Sequence, residues 1–94
     1  MEKIWLESYP SDIPPSIEDL SSNSILDLIQ KASYKYSQNT AFTSLNSKLS
    51  FKDVEYYSEK FGAYLQYELS IEKGSRVAIM LPNLLTYPVT LIGC

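Results

Sequence analysis

The sequence contains no histidine and a single cysteine, Cys94. An internal disulfide needs two thiols and the usual zinc sites draw on several thiolate or imidazole ligands, so neither is available. Without an imidazole there is also no Ser–His or Cys–His nucleophile pair. Glycine is scarce. The three glycines stand at 62, 74 and 93, isolated from one another, so no glycine-rich loop wraps a phosphate. Positive charge is in short supply, with eight Lys+Arg against eleven Asp+Glu for a net charge of −3, which argues against a nucleic-acid partner. Long apolar runs are missing as well. The longest, residues 77–94, is broken by Pro82-Asn83 and by Thr86-Tyr87-Pro88 and does not read as a spanning helix. The charged opening Met1-Glu2-Lys3 is unlike a secretory signal, and the expectation is a cytoplasmic chain.

What is present is globular in composition, with 45% hydrophobic and 20% charged residues. Ninety-four residues accommodate at most one small domain. Charge divides the chain. Residues 1–22 hold one lysine against five acidic groups, or −4, whereas residues 23–94 hold seven basic and six acidic groups, or +1. With Pro10, Pro14 and Pro15, the first 22 residues read as an extended acidic leader that Trp5 and Tyr9 would anchor on another surface.

Ser24 followed by Asp27 is a capping pattern that opens a helix, with Ile25, Leu28, Ile29, Ala32 and Tyr36 as its apolar stripe and Asn39 at its exit. Residues 41–45 read as a strand, 46–48 as a turn and 49–51 as a short returning strand. Ser50 with Asp53 repeats the capping pattern and starts a longer helix to about Glu68, predicted to bury Val54, Tyr57, Phe61, Tyr64 and Leu65. Gly74 supplies a reversal. Val77-Ala78-Ile79-Met80-Leu81 is five apolar residues without alternation, the pattern of a parallel strand covered on both faces. A last helix follows, with Asn83 or Thr86 as its cap and Pro88 in its first turn or at a kink. Its apolar finish through Cys94 reads as the front piece of a longer chain. The fold class is α/β, incomplete as a domain.

No residue is assigned a catalytic, cofactor-binding or metal-binding role. Lys73-Gly74-Ser75 lacks the upstream glycine of a phosphate loop and reads as a plain turn. The eight tyrosines fall largely beside Val, Phe and Leu on helical faces and read as core packing. Cys94 reads as a buried helical thiol, and Glu18-Asp19 as a solvated face.

Taken together, the chain resembles the N-terminal end of bacterial long-chain fatty-acid–CoA ligases, in the adenylate-forming superfamily. The resemblance rests on the leader Lys3-Ile4-Trp5-Leu6-Glu7-Ser8-Tyr9-Pro10 with Asp12-Ile13-Pro14, on Ala41-Phe42 and Leu49-Ser50-Phe51, and on Phe61-Gly62-Ala63-Tyr64-Leu65-Gln66. It is strongest over the run from Lys73 through Val77 and Pro82-Asn83-Leu84-Leu85-Thr86-Tyr87-Pro88 to Val89. Ser75 departs from it, standing where the family commonly has Asp. The resemblance implies residues 23–94 as the start of an AMP-binding domain. It implies a parent enzyme that uses ATP, Mg²⁺, fatty acid and coenzyme A, and it leaves peripheral membrane association open for that parent. The family's phosphate-binding loop, acidic metal ligand and mobile lysine have no matching positions in residues 1–94, so the chain alone is expected to be inactive. The alternatives are a stand-alone interaction or membrane-surface module, or part of an adenylate-forming ligase for a different acid.

Overall fold

A computed structural model describes residues 2–17 and 23–94, so Glu18-Asp19 lies outside the described residues. In chain order the protein forms a 3₁₀ turn at Ile4–Ser8, helix α1 at Ile25–Lys35, strands β1 at Thr40–Ser44 and β2 at Ser47–Ser50, helix α2 at Phe51–Tyr67 and helix α3 at Thr86–Gly93.

Both caps form where the sequence places them. At α1 the Ser24 Oγ accepts from the Asp27 N–H at 3.0 Å, and the Asp27 carboxylate accepts from the Asn23 N–H at 3.3 Å. At α2 the box is reciprocal: the Asp53 N–H donates to Ser50 Oγ at 3.1 Å and the Ser50 N–H donates to Asp53 Oδ2 at 2.9 Å. Each contact satisfies an N–H that the first helical turn would otherwise leave without a partner.

β1 and β2 pair antiparallel, with Phe42 opposite Leu49 and Ser44 opposite Ser47, and the register slips between Thr40 and Phe42. The hairpin turns at Leu45-Asn46 rather than at residues 46–48, with φ of 47° and 66° at those two positions. Two consecutive positive φ values form the tight loop whose twist matches that of the strands it joins. The hairpin is tied back to the helices on either side of it: the Phe51 N–H donates to the Asn39 carbonyl at 3.0 Å and the Lys52 N–H to the Ser37 carbonyl at 3.1 Å.

Three other expectations change. The leader is not extended throughout. Residues 4–8 carry no proline and close i→i+3 bonds, with the Leu6 N–H donating to Lys3 at 3.0 Å and the Tyr9 N–H to Leu6 at 3.2 Å. Neither Asn83 nor Thr86 caps α3, whose N-cap is Leu85 without a side-chain bond, and Pro88 sits within the first turn, where a missing N–H costs nothing. Among the described residues, 77–81 form no strand: the one sheet consists of β1 and β2, and neither pairs with this segment.

The packed interior is small. Among the described residues Val54 and Leu65, both on α2, are the buried hydrophobic ones, joined by the serines Ser33 and Ser58. The accessible surface is 8366 Å², against about 5,500 Å² for a compact monomer of this mass. The helices therefore cover one another along narrow lines and leave much apolar surface open.

Candidate functional site

The closest helix contact is built from small side chains. Ser58 and Gly62 lie one turn apart on α2, and α3 crosses there with Gly93 against them. A Cβ placed on Gly93 would stand 2.8 Å from Phe61 Cδ1 and 2.9 Å from the Ser58 carbonyl oxygen, so only glycine admits this approach. α1 contributes Ser33, which is 1% exposed. The Ser33 and Ser58 hydroxyls are buried and unpaired. Both residues border the space between α1, α2 and α3.

Between α1, α2 and α3 runs an open groove of ≈ 570 Å³, lined among others by Leu26, Ile29, Gly62, Ala63 and Ile92. A second, of ≈ 350 Å³, lies between the end of α2 and the segment after it and is lined among others by Leu65, Ile71 and Val77. The first is lined more by apolar than by polar surface, whereas the second also carries Gln66, Glu72 and Lys73.

The charged groups lie elsewhere. Asp53 is held below the usual carboxylate range by the Ser50 backbone N–H and then by the Ser50 hydroxyl. Lys60 is raised by its hydrogen bond to Tyr56, over whose ring its Nζ sits 4.5 Å from the centroid. Both groups stand on the exposed side of α2 and line neither groove. Lys31 and Asp27 form an ion pair at 2.9 Å along α1. Among the described residues no group of three acidic, Cys or His side chains could hold a metal ion, and no helix is long and apolar enough to cross a membrane.

Lys73-Gly74-Ser75 forms a tight turn: the Ser75 N–H donates to the Glu72 carbonyl at 3.0 Å, and Gly74 adopts a φ of 91°, which glycine takes without strain. Cys94 is exposed at the end of α3 rather than buried. The tyrosines also differ from expectation. Tyr57 and Tyr64 are half exposed, and Tyr34 and Tyr67 almost wholly so, because the line that packs on α2 runs through Val54, Ser58 and Leu65. On α1 the buried position is Ser33 rather than Ile25 or Leu28, both of which face outward. The sequence signal for this seam is the pair of small residues Ser58 and Gly62 at i, i+4, a spacing that hydrophobic periodicity passes over.

Residues 29–94 match the family model described as AMP-binding enzyme. A protein of Yersinia pestis named long-chain-fatty-acid–CoA ligase is 41% identical over 93 residues, covering 99% of this chain and 16% of that protein. One of the same name from Salmonella typhimurium is 42% identical over 93 residues, with 99% and 17% covered. A third, from Bacillus subtilis, is 34% identical over 82 residues, with 87% and 14% covered. The chain thus spans about a sixth of the length of the curated relatives it matches. No solved structure matches it.

Proposed function

The chain belongs to the AMP-binding enzyme family, and on that premise we propose that it is the opening segment of a long-chain fatty-acid–CoA ligase. One observation carries the reading: 99% of the chain aligns, at 41–42% identity, with two ligases of that name. The specific leader and the Pro82-Asn83 run are thus part of one continuous match rather than scattered coincidences.

The parent reaction is two displacements. A fatty-acid carboxylate attacks the α-phosphorus of ATP and pyrophosphate leaves, giving an acyl-adenylate. The thiolate of coenzyme A then attacks the acyl carbon and AMP leaves, giving the thioester. Magnesium would offset charge on the phosphates. The described residues of this chain do not fit those groups. They hold no acidic cluster, Gly74 is spent on a turn, and Gly62 and Gly93 are spent on a helix contact. No step of the chemistry is assigned to any of them.

The contribution proposed here is scaffolding. Residues 1–22 form a leader and residues 23–94 begin the AMP-binding domain, in which residues 77–81 join a parallel sheet. The run of five apolar side chains and the exposed apolar surface of the helices support this reading.

The test is a graft: this chain replaces the aligned 93 residues of the Yersinia pestis ligase in a single polypeptide. The chimera is expected to form acyl-CoA from a long-chain fatty acid, ATP, Mg²⁺ and coenzyme A, and the 94-residue chain alone to form none. A chimera that is soluble and melts cooperatively, yet supports neither thioester formation nor fatty-acid-dependent ATP–pyrophosphate exchange, overturns the reading. So does turnover by the chain alone.

A further inference from the structure

The groove between α1, α2 and α3 carries charge of one sign. Glu55 and Glu59 line it one turn apart on α2, and no lysine or arginine among the described residues does so. Neither carboxylate is in an ion pair or a hydrogen bond among the described residues. The ion pair of α1 closes between Lys31 and Asp27, and Lys60 is held over the Tyr56 ring. Like charges at i, i+4 repel along a helix, so a cation that meets both is stabilised there.

Two uncharged groups of the same groove also lack partners. Ser33 and Ser58 are 1% and 4% exposed, and their hydroxyls have no hydrogen-bond partner. They come from different helices and both border the groove. A buried hydroxyl without a partner carries a penalty that an incoming N–H donor removes. The rest of the lining is largely apolar, with Ile29 on α1 and Ile92 on α3. The volume of ≈ 570 Å³ lies within the range of about 300–1,000 Å³ usual for small-molecule sites.

We propose that this groove is a binding site for a cationic amphiphile, namely a primary alkylammonium. Its chain packs on Ile29 and Ile92, and its head meets Glu55 and Glu59 and donates to the Ser33 and Ser58 hydroxyls. An ammonium brings three N–H donors and no acceptor, which matches carboxylates and hydroxyl oxygens that have no donor of their own. The sign of the charge selects against anions, so a fatty-acid carboxylate and a nucleotide phosphate are both disfavoured here. The site is therefore distinct from any site for the substrates of the reaction proposed above, and it does not depend on that reading.

The experiment titrates the 94-residue chain with n-octylammonium chloride by isothermal calorimetry and maps the contact by amide chemical shifts. Octanoate and 1-octanol serve as anionic and neutral probes of the same length. The expected result is saturable one-to-one binding of n-octylammonium that weakens as salt is raised, with shifts centred on residues 29–33, 55–59 and 92. Both other probes should bind about tenfold more weakly or less. The Glu55→Gln, Glu59→Gln double variant is expected to lose about tenfold in affinity for n-octylammonium while leaving 1-octanol and the far-UV circular dichroism unchanged. Ser33→Ala should weaken n-octylammonium yet raise the urea midpoint of the free chain, a combination that a folding defect does not produce.

Octanoate or 1-octanol binding as tightly as n-octylammonium overturns the proposal, and so does the absence of saturation. Binding that neither variant weakens places the head group elsewhere and overturns it too. The single-polypeptide graft is titrated in parallel and is expected to bind n-octylammonium as the chain alone does. A graft that forms acyl-CoA but does not bind it shows the groove filled by the rest of the domain, so that this proposal falls and the functional reading stands.

Discussion

Gly62 on α2 and Gly93 on α3 are in backbone contact: a Cβ on Gly62 would lie 3.0 Å from the Gly93 carbonyl oxygen. This contact, rather than an aromatic layer, sets how closely the last helix approaches the central one.

Gly93→Ala is expected to be the more damaging of the two substitutions. Its methyl meets the Ser58 carbonyl at 2.9 Å, and backbone within a helix cannot swing aside. Overpacking of this kind costs about 1–3 kcal/mol. At Gly62 the 3.0 Å approach is opposed by the helix propensity of alanine, about 1 kcal/mol better than glycine, so the net change is small. Amide hydrogen exchange of α3 in the 94-residue chain separates the two. Equal protection in both variants would contradict the geometry.

Removing a hydroxyl is expected to stabilise. Ser33 Oγ and Ser58 Oγ are buried without partners, and a buried unpaired polar group costs about 1–3 kcal/mol. Ser33→Ala keeps the small volume, removes that penalty and improves helix propensity. Urea unfolding followed by circular dichroism should show a higher midpoint, and a lower one would mean the hydroxyl is bonded in solution.

The hairpin tip carries strain that a single change relieves. Leu45 holds a φ of 47° while its side chain is 84% exposed, so it gains little packing for the left-handed conformation. That conformation costs a non-glycine residue about 1–2 kcal/mol, less for asparagine. Leu45→Asn should raise stability by up to about 1 kcal/mol, read by the same urea titration. A loss would show that Leu45 contacts matter more than its backbone.

Asp53 sets an acid-side pH dependence. Its carboxylate accepts from the Ser50 N–H and hydroxyl, which lowers its folded-state pKa below the unfolded value. A depressed carboxylate contributes stability that is complete above the unfolded pKa and is lost as pH falls through the folded one. The start of α2 should therefore fray as acid protonates Asp53, and Asp53→Asn should remove that component. Carboxyl NMR titration across the acid range checks the direction. An Asp53 that titrates above the ordinary aspartate range would refute it.

The local elements were legible because their determinants lie within four residues of one another. Ser24 with Asp27 and Ser50 with Asp53 close hydrogen bonds inside a single turn, so the spacing alone places both helix starts. The Lys73-Gly74-Ser75 turn is similarly local, and the motifs that mark the family are contiguous in the sequence. The hairpin shows the limit. Two strands were evident, yet the turn fell one residue early, because Leu45 adopts a positive φ that its residue type does not advertise.

Burial was the tertiary decision. Apolar spacing marks which residues want cover, but which of them receive it depends on partners distant in the sequence. Tyr57 and Tyr64 stay half exposed while Ser33, Ser58, Gly62 and Gly93 come together, because two helices touch most closely where their side chains are smallest. Residues 77–81 carry the pattern of a buried strand in their own side chains. Their pairing is not theirs to determine, since every ladder hydrogen bond needs a neighbour and neither β1 nor β2 provides one.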